Sequence, residues 1–281
     1  MVRGEREAGI IQHKWRGPGL ARVLELMALH VRIVRNRWIC GVVVWLAMAG
    51  VSKAQAPAAA DSVPSLGAVF KQVPRDLVKF VSWDTALVLG VGGGAAAVGH
   101  IWDDDLAHKV ETSPSLNNAL EPGHTYGAFS FQFAIGIGMY GTGWLADKGR
   151  LAQAGGDIMR AQLLGQAYTQ ALKFTVRRER PDGSNNQSFP SGHSASAFAT
   201  ASVLQRYYGW WVGVPATLAA GYVATARVHD NKHYLSDVIF GGAVGIAAQR
   251  TVMLRSGRYG FALNAVPVPG GGALSVSVRP R

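Results

Sequence analysis

The sequence predicts an all-α protein: a helical bundle of about six core helices, followed by a short β-hairpin-like tail. Three observations carry that prediction. The chain is 48% apolar and 16% charged, and its apolar residues gather in long runs rich in Gly and Ala. Inside these runs the large side chains recur at helical spacing. Strand-like alternation is confined to the last two dozen or so residues. The 281 residues carry 35 Gly and 12 Pro, a composition neither disordered nor collagen-like and long enough to bury a sizeable core.

Residues 1–56 read as a lead and an export signal. Arg32, Arg35 and Arg37 precede the uncharged run Ile39–Val51, and Ala54-Gln55-Ala56 supplies a small-x-small cleavage site. The apolar run has 13 residues, against ~20 for a bilayer span. Met27 would open a signal of ordinary length, and the mature chain would begin near Pro57. Residues 57–75, with their Ala, Pro and Ser, read as a linker.

The helical domain is expected over 76–255. Asp76–Ile101 and Tyr126–Ala146 are long, apolar and free of Pro, whereas Trp102–His124 is polar and holds Pro114 and Pro122, implying loop or short helices. Gly155–Phe174, Ser194–Tyr208, Trp211–Ala226 and Tyr234–Met253 complete the helices. Ala128–Ala146 carries no charge over 19 residues, and Gly136, Gly138, Gly141 and Gly143 suit close helix contacts. Mean hydropathy is +0.11, which fits a helical periplasmic domain able to touch the membrane. In the 256–281 tail, Phe261–Val268 and Leu274–Val278 alternate around a Pro-Gly-Gly-Gly turn.

The net charge of +11 invites a nucleic-acid reading, but its distribution removes it. Residues 1–56 account for +6, leaving +5 for the rest. The one cysteine, Cys40, excludes an intramolecular disulfide and a Cys-based zinc cluster. His100, Asp104 and His108 fall at i, i+4, i+8, but Asp103 and Asp105 beside them suggest a solvated helix end, and no metal site is assigned. Gly90-Val-Gly-Gly-Gly94 lacks the strand and acidic residue of a dinucleotide fold and reads as helix packing.

Three segments concentrate chemistry. In Lys173-Phe-Thr-Val-Arg-Arg-Glu-Arg180-Pro181 the two outer cations are seven apart, about two helical turns, with Pro181 expected to stop the helix. Such a pair suits an oxyanion, Arg bidentately and Lys as a point charge. Arg177 and Arg178 lie off that face and read as solvated or lipid-facing, so Arg178→Ala is expected to matter little. In Pro190-Ser191-Gly192-His193 a turn opens a helix and leaves N–H groups and a hydroxyl for an anion. In Arg227-Val-His-Asp-Asn-Lys-His233-Tyr-Leu-Ser-Asp237 the histidine and carboxylate are four apart, so on a helix Asp237 can fix the tautomer and leave a base or nucleophile. His229 and Lys232 read as pocket rim.

Taken together and in this order, the segments resemble the signature of the type 2 phosphatidic acid phosphatase/haloperoxidase superfamily, densely over 161–250. The resemblance implies that His233 is the nucleophile, oriented by Asp237, and that His193 serves the leaving oxygen and then water. It implies that Lys173, Arg180, Arg227, Ser191 and Gly192 hold the phosphoryl oxygens without a metal or other cofactor. The implied reaction is hydrolysis of a phosphate monoester: a lipid phosphate, a polyprenyl diphosphate or a soluble ester. The alternative is a vanadium-dependent haloperoxidase, holding vanadate in the same cradle. Two departures stand out: Ala226 replaces the family's usual Ser, and only Asp182–Phe189 separates the first two motifs, which implies a less covered pocket.

Overall fold

In a computed structural model, the structure describes residues 62–110 and 114–253, together with the backbone of 259–268 and 271–280. The expected lead, signal peptide and cleavage site lie outside the described residues.

The helices are α1 (Leu66–Phe70), α2 (Val73–Phe80), α3 (Trp83–His100), α4 (Asp103–Val110), α5 (Pro114–Leu120) and α6 (Pro122–Gly127), followed by α7 (Phe129–Leu145), α8 (Gly149–Val176), α9 (Gly192–Tyr208), α10 (Trp210–His229) and α11 (Leu235–Met253). The protein is all-α in its described body. In the tail, Tyr259–Val268 and Gly271–Pro280 (β1 and β2) run antiparallel, Phe261 opposite Val278.

Part of the segment expected to be linker is helical. The Ser65 side chain accepts from Ala68 N–H to start α1, and Pro74 sits where the first turn of α2 needs no N–H. The single helix expected over 76–101 is two, because Ser82 in extended backbone caps a new start through Thr85 N–H.

The core forms where α8, α9 and α11 cross, and it is closed by small residues. Ala161, Ala199, Val203, Val244 and Ala247 are essentially without exposure. Gly136 and Gly143 on α7 meet Met159 and Ala152 of α8, so those backbones approach closely. Gly138 and Gly141, expected to share this role, face open space. Of the glycine run expected to pack, Gly92 lies against Ala243 of α11 and Gly93 near Phe240, whereas Gly90 and Gly94 face open space.

A buried ion network ties α2 to the centre. Arg160 donates to Asp76 at 2.6 and 2.8 Å and to Asp157 at 2.8 Å, and the Tyr207 hydroxyl donates to the other Asp157 oxygen at 2.7 Å. Burial outweighs these partners at Asp157 and pushes its carboxyl up to about 6.

Large apolar side chains remain on the outside: Trp211 is 94% exposed, Trp83 77% and Trp144 63%. No single described helix is long and apolar enough to cross a membrane, and Leu66–Phe80 with Trp83–His100 reach that measure only as a pair bent by 65°. The uncharged run at 128–146 yields a 17-residue helix, short of a span.

Candidate active site

All three motif segments meet at one end of the bundle. The C-terminal end of α8, the N-terminal end of α9, the C-terminal end of α10 and the N-terminal end of α11 converge there.

Lys173 is buried in the last turn of α8, its amine donating to the Gln187 carbonyl. Arg180 reaches the same site by a different route from the one its spacing predicted. Arg177 takes a left-handed conformation, φ 51°, and its N–H closes on the Lys173 carbonyl, so α8 ends at Val176, well before Pro181. Lys173 and Arg180 therefore share no helical face. The return loop places Arg180, its backbone N–H bonded to the Asn185 carbonyl at 3.0 Å.

The second segment behaves as its composition dictates. Ser191 is fully buried and caps α9, accepting from Ser194 N–H, with Gly192 and His193 in the first turn. Ser191 N–H donates to the Asp237 carbonyl at 3.0 Å, which locks this turn onto α11.

His233 and Asp237 do not form the helical pair expected of them. α11 begins at Leu235, so His233 lies in the preceding turn, and its Nδ1 is 3.8 Å from the Asp237 carboxylate. Nδ1 instead lies 2.7 Å from the Ser188 backbone carbonyl, which can only accept. The proton is therefore on Nδ1, and Nε2 carries the lone pair. Asp237 caps α11 by accepting from Tyr234 N–H at 2.9 Å, and it also accepts from the Ser188 hydroxyl. Ser188 thus contacts both members of the pair. It lies in the short connection between the first two motifs, which here supplies contacts to the site.

Arg178, expected to be solvated, points inward. Its guanidinium donates to Asp237 and Ser236 at 2.8 and 2.7 Å and to Asp103 at 2.9 Å, and lies 3.9 Å from the Tyr234 ring centroid. The early end of α8 turns this side chain towards α11. Asp103, expected at a solvated helix end, is 1% exposed. It accepts from the backbone N–H and hydroxyl of Ser236 and from His100. Arg177 is exposed, as expected.

Arg227 is buried, and its Nη1 faces Asp230 at 3.1 Å and His124 Nδ1 at 2.9 Å. Of the expected rim residues, Lys232 pairs with Asp182, whereas His229 is buried and meets Asn117 at 2.7 Å. Four residues that the sequence reading missed therefore serve the site: Ser188, Asp103, Arg178 and His124. Ser188 and Arg178 bond Asp237 directly, and Asp103 holds Arg178 and the neighbouring Ser236. No local spacing marks any of them, since their partners lie 45 to 133 residues away or across a loop.

The electrostatics favour an anion. Burial, with Arg180 and Arg227 close by, lowers the Lys173 amine to about 8, even though Asp237 pulls the other way. Burial and the Arg227 charge bring the His193 imidazole down to about 3, and burial brings His233 to about 4. Both rings are therefore neutral in the free site at neutral pH. Burial would raise Asp237, but His233, Ser188 and Arg178 hold it below the ordinary carboxylate value. Arg180 Nε, Arg227 Nε and His193 Nε2 are buried with no hydrogen-bond partner among the described residues. Buried polar atoms of this kind are costly unless a ligand satisfies them.

Residues 157–259 match the family model of the PAP2 superfamily. This segment is similar to PAP2 superfamily domains. Over 117 residues the chain is 37% identical to a lipid A 1-phosphatase of Porphyromonas gingivalis, a match covering 39% of this chain and 25% of that protein. The chain thus spans about a quarter of the length of the curated relative it matches. It also superposes on the first transmembrane PAP2 type phosphatidylglycerolphosphate phosphatase from Bacillus subtilis, with a TM-score of 0.44 and 19% identity over 67% of this chain and 94% of that one. Lys173, Arg180, His193, Arg227, His233 and Asp237 all lie inside the matched segment, whereas Asp103 and His124 lie outside it.

Proposed function

We propose that this protein is a phosphatase that hydrolyses a phosphate monoester through a phosphohistidine on His233. One observation supports this reading above the rest: buried, partnerless donors of Arg180 and Arg227 stand beside Lys173 and a neutral His233. Three cations match the charge of a phosphoryl group and its developing transition state, so the site itself carries the neutralisation that a metal supplies elsewhere.

The chemistry follows from the protonation states. His233 Nε2 attacks phosphorus in line, forming the N–P bond as the bond to the leaving oxygen breaks. The Ser188 carbonyl and Asp237 stabilise the positive charge that grows on the imidazole. Burial and the Arg227 charge keep His193 neutral in the free site, and a bound dianion offsets them, so His193 is protonated in the complex and gives that proton to the leaving oxygen. His193 then takes a proton from water as its oxygen attacks phosphorus. The N–P bond breaks and phosphate leaves. Lys173, Arg180, Arg227 and the Ser191-Gly192 turn hold the non-bridging oxygens throughout.

The substrate class follows from two supports. The matched relative is named for a phosphate on lipid A, and this chain exposes large apolar side chains at the same end as the site, among them Ile101 (74%) and Phe174 (62%). A lipid phosphate is therefore the substrate, met at a membrane surface of the cell envelope, which accords with the export signal read in residues 30–56. No cofactor takes part.

The test is phosphate release from lipid and soluble phosphates by wild type and His233→Ala, with and without a chelator. Wild type should turn over with the chelator present and form a phosphoenzyme that survives alkaline denaturation. His233→Ala should do neither, and full activity in that variant would sink the assignment.

A further inference from the structure

Ala226 and His124 belong to one feature. A Cβ built on Gly123 of α6 would lie 2.5 Å from the Ala226 methyl, and one on Gly127 would lie 2.4 Å from Val223 and 3.0 Å from His193. The backbone of α6 therefore rests directly on α10 and α9. The preceding helix α5 is tied to α10 as well, by the Tyr222 hydroxyl, which donates to the Ala119 carbonyl at 2.7 Å, and by the contact of His229 with Asn117. This close approach brings the His124 ring to the site. Nδ1 stands 2.9 Å from Arg227 Nη1, and the ring stacks on His193 with centroids 5.2 Å apart and planes 18° from parallel.

The donor and acceptor roles in that contact are settled by chemistry. A guanidinium only donates, so His124 Nδ1 accepts and its proton sits on Nε2. Arg227 Nη1 is thereby held between His124 and Asp230, while Arg227 Nε has no partner among the described residues. An arginine binds an oxyanion well only when its planar fork is aimed, and an unanchored fork loses rotamer entropy on binding.

Resting on the phosphatase reading above, we propose that His124, from outside the segment that matches the family model, is a positioning residue of the oxyanion site, aiming Arg227 through its Nδ1 lone pair and bracing His193 through its ring. The two contacts are separable, because different substitutions keep one and lose the other. His124→Asn places an amide oxygen where Nδ1 stood and removes the ring. His124→Phe keeps the ring against His193 and removes the acceptor.

The experiment is calorimetric titration of the full chain with inorganic phosphate, alongside steady-state hydrolysis of an aryl phosphate. The variants are His124→Ala, His124→Asn, His124→Phe and Arg227→Ala, each checked by thermal melting. Loss of one hydrogen bond to Arg227 should weaken phosphate binding about three- to tenfold in the Ala and Phe variants. The Asn variant should bind within twofold of wild type, and Phe should keep more of wild-type kcat than Ala or Asn. A merely structural residue would lower melting temperature while leaving phosphate affinity unmoved in the folded protein. Wild-type affinity in the Phe variant, with binding lost in Arg227→Ala, would overturn this inference alone. No phosphate binding by wild type would overturn the phosphatase reading and this inference with it. If the Ala variant fails to fold, the contrast between Asn and Phe decides.

Discussion

Gly241→Ala offers a sharp test of how the site is held. Gly241 lies in α11 where it crosses the Pro190-Ser191-Gly192 turn, and a Cβ there would fall 2.3 Å from the Ser191 carbonyl oxygen and 3.1 Å from its carbon and nitrogen. Ordinary contact begins near 3.4 Å, so the turn and the helix must separate by about 1.1 Å. Ser191 has no room to retreat sideways: it is fully buried and its N–H is bonded to the Asp237 carbonyl. The displacement therefore falls on the turn carrying His193 and the anion-binding N–H groups, relative to Asp237 and His233. A misplacement of about 1 Å at reacting groups costs roughly 10²-fold in rate. Overpacking costs about 1–3 kcal/mol, offset by ~0.5–1 kcal/mol for replacing a helical glycine. The net expectation is a modest fall in melting temperature with a fall of about 10²-fold in kcat/KM. Steady-state hydrolysis of an aryl phosphate and a thermal melt measure both. Gly138→Ala is the control, because its Cβ meets nothing within 4 Å and the same helical gain applies. Wild-type kcat/KM in Gly241→Ala, with a melt matching the control, would refute the claim that this crossing sets the site's geometry.

Two other predictions concern charge. Lys173 stands at about 8 because burial and its cationic neighbours penalise the protonated form, so the third cation is present below that pH and lost above it. Affinity for tungstate, a dianion throughout the alkaline range, should hold to about pH 8 and then fall. Lys173→Arg, which stays protonated, should remove that alkaline limb, and a limb unchanged in the variant would assign it elsewhere. Arg178→Ala should lower kcat by roughly one to two powers of ten, since a charge-assisted bond to Asp237 is worth about 1.5–3 kcal/mol. Unchanged kcat in that variant would show that Asp237 and its neighbours keep their places without the guanidinium.

Many of the residues that meet at the candidate site were legible in the chain. They are rare types at telling spacings, and Pro-Ser-Gly before an apolar helix opens that helix as expected. The helices of the core were legible too, because small and apolar residues fill most of the buried positions of α8, α9 and α11. What escaped were contacts between distant parts. The spacing of Lys173 and Arg180 suggested one helical face, but a left-handed Arg177 ends α8 first and sends Arg178 inward. The acid at 237 seemed the natural partner of His233, yet a backbone carbonyl, which no side-chain pattern announces, takes that place.

The sequence by itself determined the class of fold and which residue types could grip a phosphate, because periodicity and functional-group chemistry are local properties. Only the tertiary structure decided how those groups are aimed. Asp103, Ser188, Arg178 and His124 do the aiming across helices and loops, and which of them meet depends on how closely glycines and alanines let the backbones approach.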